Sequence, residues 1–249
     1  PEESDTDPDG EASDEQEEDQ EERPAGILRS DLIDLEEWLN SLAEKLKAAE
    51  KLGEIPSYAD IREGYWAQKP IALMTMLQVV NGVGDGRFEP DRSITRAEFA
   101  AMLTRLFGFK ETSADPVPFA DVAHDHWAKD AIDTLSRLGI IHGYPDGTFR
   151  PDAPITRAQF AAIVIRGLGL SENGTTSAFS DVTPGDWSMG AVAKAHEYGI
   201  IQGYEDGTFL PNRTVTREEA MVMIARAMKW TGLRTEVSGQ DAAAILALF

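Results

Sequence analysis

Ile155-Thr156-Arg157-Ala158-Gln159-Phe160 is preceded by Ile94-Thr95-Arg96-Ala97-Glu98-Phe99 and followed by Val215-Thr216-Arg217-Glu218-Glu219-Ala220. The steps are 61 and 60 residues. Trp66, Trp127 and Trp187 keep the same steps, as do Asp85-Gly86, Asp146-Gly147 and Asp206-Gly207. Such regularity means one structural unit used three times, so a site on that unit is expected three times. Each hexapeptide also has the grammar of a helix start. Thr156 is an N-cap, Gln159 completes a capping box, and Ile155 with Phe160 forms a hydrophobic staple. Thr95/Glu98 with Ile94/Phe99 fits equally, and Thr216/Glu219 with Val215 fits with Ala220 as a weak staple partner.

Outward from the hexapeptide, repeat 2 reads most clearly. Phe119-Ala120-Asp121-Val122 is a short extended or turn segment. His126-Trp127 opens a helix with Ala128, Ala131, Ile132, Leu135 and Leu138 spaced three and four apart, and Gly139 stops it. Gly143-Tyr144-Pro145-Asp146-Gly147-Thr148-Phe149 is a turn-rich loop, and Pro151 and Pro154 keep the next stretch extended. Repeat 3 follows the same plan. Repeat 1 diverges, with Tyr58 for the first Phe, Gln78 for the helix-ending Gly, Val83 for the loop Tyr and Arg87 for the loop Thr.

The expected organisation is an acidic segment over 1–25, a helix over 27–52, repeats over 57–110, 117–170 and 177–231, and a remainder over 232–249. Residues 1–23 hold 13 Asp/Glu against one Arg and almost nothing apolar, which predicts a disordered spacer, either a tether to an upstream domain or a plain acidic tail. Leu28, Leu32, Leu35, Leu39, Leu42 and Leu46 form a heptad seam. That seam either packs on the repeats or, over 28–46, drives self-association. Residues 232–249 read as a closing helix or as the start of a further repeat. The fold class expected is mainly α: three helix-loop-helix repeats in a mutual bundle around a shared core.

The formal net charge is -21, with no cysteine and no basic stripe. Nucleic acid is therefore disfavoured, since it demands basic patches, and disulfides and thiolate metal sites are excluded. No apolar run reaches transmembrane length, so membrane insertion is not expected. No cofactor or metal site is expected either. Setting Asp146-Gly147 at positions 5 and 6 of a calcium loop puts His142, Tyr144 and Ala153 at 1, 3 and 12, and the fit fails. His124, His126, His142 and His196 lack metal-ligand spacing. The carboxylates form no recognisable acid/nucleophile motif, and no nucleophile elbow occurs, so catalytic residues are not expected.

Phe-x-Asp-Val, the Trp-Ala helix opening, Gly-Ile-Ile-x-Gly-Tyr-x-Asp-Gly-Thr-Phe-x-Pro and Ile-Thr-Arg-Ala-Glu/Gln-Phe, in order and three times over, resemble the surface-layer homology (SLH) module of bacterial cell-surface proteins. The resemblance covers about residues 57–230. It implies a pseudo-threefold bundle that binds secondary cell-wall polymer, often pyruvylated, and holds a surface protein non-covalently on the wall of a Gram-positive-type bacterium. It implies grooves between adjacent repeats to which Arg96, Arg157 and Arg217 contribute; Glu218 departs from the pattern and weakens an anion site there. An arginine at the first helical position suits a carboxylate, through its guanidinium and through the unpaired N–H groups of the helix end. Taken as residues alone, these arginines also fit solvated positions or pairs with adjacent acids. Trp66, Trp127 and Trp187 either stack on sugars or anchor the first helix of each repeat. Tyr144 and Tyr204 either hydrogen-bond a sugar or pack the loops. The competing function is a protein–protein assembly module built on the leucine seam.

Overall fold

In the computed structural model the described residues are 33–51, 56–109, 115, 118–174 and 176–230. They form seven helices: α1 (Leu35–Lys51), α2 (Gln68–Met76), α3 (Arg96–Phe107), α4 (Lys129–Arg137), α5 (Arg157–Gly167), α6 (Met189–Glu197) and α7 (Arg217–Met228). Among them no strand forms, only isolated bridges, so the chain is mainly α as expected. The acidic segment and residues 232–249 lie outside the described residues.

Each repeat supplies a short first helix and a longer second one. The second helices begin where the hexapeptides predict. Thr95, Thr156 and Thr216 are N-caps in extended conformation, and all three capping boxes are complete. The first helices start later than expected. Trp127 lies in a turn ahead of α4, which begins at Lys129; Lys129 N closes that turn on His126 O at 2.9 Å, and His126 Nδ1 accepts from Ala128 N.

The helices do not pair within a repeat alone. α3 of repeat 1 packs on α4 of repeat 2, α5 of repeat 2 on α6 of repeat 3, and α7 of repeat 3 returns to α2 of repeat 1. The segments ahead of the N-caps close the same circuit. Ile94 N donates to Val215 O, Val215 N to Ile155 O and Ile155 N to Ile94 O, each at 3.0 Å. All three residues are fully buried, and beside them Phe99 stacks on Phe160 with centroids 4.4 Å apart. The staple residues thus do two jobs, fixing the helix entrance and joining the repeats.

Within each repeat the leading aromatic packs against the loop aromatic: Tyr58 on Phe88, Phe119 on Phe149 and Phe179 on Phe209, with centroids 5.3, 5.4 and 5.2 Å apart. A glycine makes this possible. A Cβ at Gly203 would collide with the Phe179 ring and lie 2.7 Å from Thr208 O.

Helix α1 docks against α2, burying Trp38 and Leu42. The Trp38 indole donates to Leu106 O at 2.6 Å, capping a carbonyl in the last turn of α3. In the expected seam, Leu28 and Leu32 lie outside the described residues, and Trp38 is the anchor that the leucine spacing did not single out.

Two substitutions test this backbone logic in opposite directions. Gln78 ends α2 with φ 59, where the other repeats place Gly139 (φ 67) and Gly199 (φ 63). Gln78→Gly should therefore stabilise by about 0.5–1 kcal/mol, read as a rise in thermal midpoint. Gly203→Ala should destabilise by about 1–3 kcal/mol through overpacking against Phe179.

Candidate glycan-binding grooves

The three hexapeptide arginines are neither solvated nor paired with the acid beside them. Arg96, Arg157 and Arg217 are 5%, 6% and 4% exposed, among the few charged residues of the core. Each reaches into the loop of the next repeat. Arg96 Nε donates to Phe149 O at 2.8 Å and Nη2 to His142 O at 3.0 Å. Arg157 does the same to Phe209 O and Gln202 O, at 2.8 and 2.7 Å. Arg217 closes the circuit on Phe88 O and Asn81 O, both at 2.9 Å. Each guanidinium also lies 4.5 Å over the ring of the phenylalanine whose carbonyl it holds. Burial pulls all three pKa values down, yet arginine remains cationic at neutral pH.

The loop carbonyls are aimed by an aspartate that sequence reasoning did not single out. Asp121 accepts from Phe149 N and Arg150 N, both at 2.7 Å. Asp60 accepts from Phe88 N and Glu89 N, and Asp181 from Phe209 N and Leu210 N, at 2.7–2.8 Å. These bonds hold Glu89, Arg150 and Leu210 at φ 58, 57 and 55, a conformation that costs an L-residue strain. Slight burial raises the pKa of Asp60, but its backbone donors outweigh that and leave it lowered. The signal was available, because these aspartates recur at the same 61- and 60-residue steps as the arginines.

The helix N-termini are closed to a ligand, a correction to the expectation of free N–H groups there. Arg96 N donates to Ala153 O, Ala97 N to Pro151 O and Glu98 N to Thr95 Oγ1, at 3.0–3.1 Å. The N–H groups of α5 and α7 are spent in the same way. The groups left to meet a ligand there are therefore side chains. Nε and Nη2 of each arginine are used, and no described protein group accepts from Nη1 of Arg96 or Arg157.

The three tryptophans stand clear of the core: Trp66, Trp127 and Trp187 are 57%, 60% and 63% exposed. Trp187 of repeat 3 joins Arg96 of repeat 1 and Tyr144 of repeat 2 around a groove of about 200 Å³. Gln159, Arg166 and His142 complete its polar lining. Arg166 has counterparts at Arg105 and Arg226, again at the repeat steps and again not singled out from sequence. Burial and then Arg166 lower the His142 pKa, so its ring is neutral at pH 7. Tyr204 is 39% exposed beside Arg157, 5.2 Å from its guanidinium carbon.

Glu218, where the other repeats have Ala97 and Ala158, is buried and accepts from the Tyr65 hydroxyl. Burial raises the Glu218 pKa, and burial together with the Glu218 contact pushes that of Tyr65 up to about 12. The extra acid thus ties repeat 3 to repeat 1.

Because two carbonyls depend on each guanidinium, Arg96→Ala should cost about 1–3 kcal/mol for each carbonyl left without its donor. Thermal denaturation checks this, and a variant as stable as the parent would remove the arginines from the inter-repeat framework.

The S-layer homology domain family matches residues 57–100, 118–161 and 178–221, together just over half of the chain. Among curated proteins, Cell surface glycoprotein 1 of Acetivibrio thermocellus is 38% identical over 162 residues, covering 60% of this chain and 7% of that protein. The Cellulosome-anchoring protein of the same organism is 36% identical over 158 residues, covering 60% and 35%. The Amylopullulanase of Thermoanaerobacterium thermosulfurigenes is 33% identical over 183 residues, covering 71% and 10%. The chain therefore spans only a minor part of the relatives it matches. Given three matched domains and the repeated geometry, this chain belongs to the S-layer homology domain family.

Proposed function

We propose that these three repeats anchor a larger protein non-covalently to the bacterial cell wall, by holding an acidic secondary cell-wall polysaccharide, such as a pyruvylated one, in the grooves between repeats. The grooves would be related by a pseudo-threefold axis in a Gram-positive-type envelope. The observation that carries the reading is the groove itself, where a buried cation, a tyrosine hydroxyl and an exposed indole from three different repeats converge. That set matches a sugar bearing a carboxylate: an aromatic face for the ring, a guanidinium for the charge and neutral donors for hydroxyls. A chain of net charge -21 repels an acidic polymer at long range, so attraction has to come from such local pockets. The anchoring relatives named above support the cell surface as the place of work. No described helix is long and apolar enough to cross a membrane, and retention by wall polymer needs none.

Several weak grooves on one chain would act together through avidity. Where relatives bear enzyme names, this chain matches only a small part of them, and the module proposed here is a binding one. The alternative assembly role loses part of its surface, because Trp38 and Leu42 of α1 are buried against the repeats.

The test is co-sedimentation with native wall sacculi beside sacculi stripped of their acidic polymer. Retention by native sacculi alone is expected, weakening as salt screens the charge. Equal retention by both would point to peptidoglycan, and retention by neither would sink the anchoring reading. Trp187→Ala should reduce retention by about 0.5–1.5 kcal/mol of binding free energy with the thermal midpoint unchanged.

A further inference from the structure

The three clamp arginines share a framework but not a chemistry of their surroundings. In repeats 1 and 3 the third helical residue is a glutamate held by an arginine six positions earlier. Arg92 Nη2 lies 2.6 Å from Glu98 Oε1, and Arg213 Nη1 lies 2.6 Å from Glu219 Oε1. In repeat 2 the same two positions are Ala153 and Gln159, so both charges are absent together.

This exchange decides what faces the clamp arginine. Around Arg217, Glu98 Oε1 stands 3.9 Å from Nη1, the nitrogen that the loop carbonyls leave over, and the loop offers Val83 in place of a tyrosine. Around Arg157, the Tyr204 hydroxyl accepts from Arg213 Nη1 at 2.6 Å, and the same nitrogen holds Glu219. Arg226 adds a cation to that neighbourhood, donating to Gln202 Oε1 at 3.3 Å, so this groove ranks between the other two. Around Arg96, no lining residue of the groove carries a carboxylate. Gln159 Nε2 donates to the Tyr144 hydroxyl at 3.0 Å, keeping a neutral hydrogen-bonding pair at the rim. Arg166 is matched by Glu172, which leaves Arg96 as the lining cation that no carboxylate of the groove pairs with.

Resting on the anchoring reading above, we infer that the groove of Arg96, Tyr144, Gln159 and Trp187 is the principal site for an anionic sugar, and that the Ala153–Gln159 pair selects it. The Arg92–Glu98 and Arg213–Glu219 pairs fill the equivalent space in the other two grooves with a carboxylate of the protein's own. Like charges held at such distances repel strongly where water is partly excluded. A ligand carboxylate therefore meets competition in two grooves and none in the third.

The experiment transplants the pair. Acidic polysaccharide released from wall sacculi is titrated calorimetrically into the full chain and into Ala153→Arg/Gln159→Glu. Glutamate preserves the capping box, as it does in the other repeats, so the melting curve should stay in place. Affinity should fall by at least about tenfold, the effect of losing one charge-assisted bond. The converse change, Arg213→Ala/Glu219→Gln, should strengthen binding or raise the number of sites. If the first double variant does not fold, Gln159→Glu alone carries the same expectation. A folded variant that binds as tightly as the parent overturns the groove assignment while leaving wall anchoring intact. Absence of binding by the parent chain overturns both.

Discussion

A buried guanidinium must find acceptors for its donors, and in this protein those acceptors belong to another repeat. Arginine brings five N–H groups and no acceptor, so placing one in a core without partners is prohibitively costly. Arg96, Arg157 and Arg217 meet the demand with carbonyls of the following loop, and the third reaches back to the first. No repeat can satisfy its own arginine. The loops in turn hold their unusual backbone only because Asp60, Asp121 and Asp181 bind two N–H groups each. An aspartate shapes a loop, the loop offers a carbonyl, and the carbonyl receives the neighbour's arginine.

This dependence explains why the proposed binding chemistry and the joining of the repeats fall on one residue type. The clamp uses Nε and Nη2, and the remaining edge of the guanidinium borders the groove. Its position is fixed before any ligand arrives, which lowers the ordering cost of binding. The aromatic partners are divided by the same logic. The phenylalanines under the guanidinium are fully buried and structural, whereas the tryptophans at the helix entrances stand in solvent.

Apolar contacts make the circuit cooperative. Ile94, Ile155 and Val215 exchange backbone hydrogen bonds in a closed circuit and are fully buried, so removing one repeat would expose both polar and apolar groups. Helix α1 extends the core outward on repeat 1 through Trp38, which stacks on Phe107 and caps the end of α3. Repeat 1 is the most divergent of the three, and it is the one that receives both this helix and the Tyr65–Glu218 tie from repeat 3.

The sequence by itself determined the starts of the second helices, the repeat length and the mainly helical class, because capping boxes and three-four apolar spacing are local signals. The recurrence of arginine and tryptophan in three repeats and of tyrosine in two, together with the family resemblance, nominated them as candidate site residues. What only the tertiary structure decided was what each one touches. That the arginines are buried clamps, that the helix N–H groups are spent on the next repeat, and that Arg96, Tyr144 and Trp187 share a groove all rest on contacts between residues far apart in sequence, up to 136 positions. Periodicity marks which positions matter but carries no information on which repeat faces which. The same limit hid what Asp121 tethers, what Trp38 anchors and what the exchange of Gln159 for its glutamate counterparts does to the groove. Each became legible only once the chain had closed on itself and set a charge beside the partner that gives it meaning.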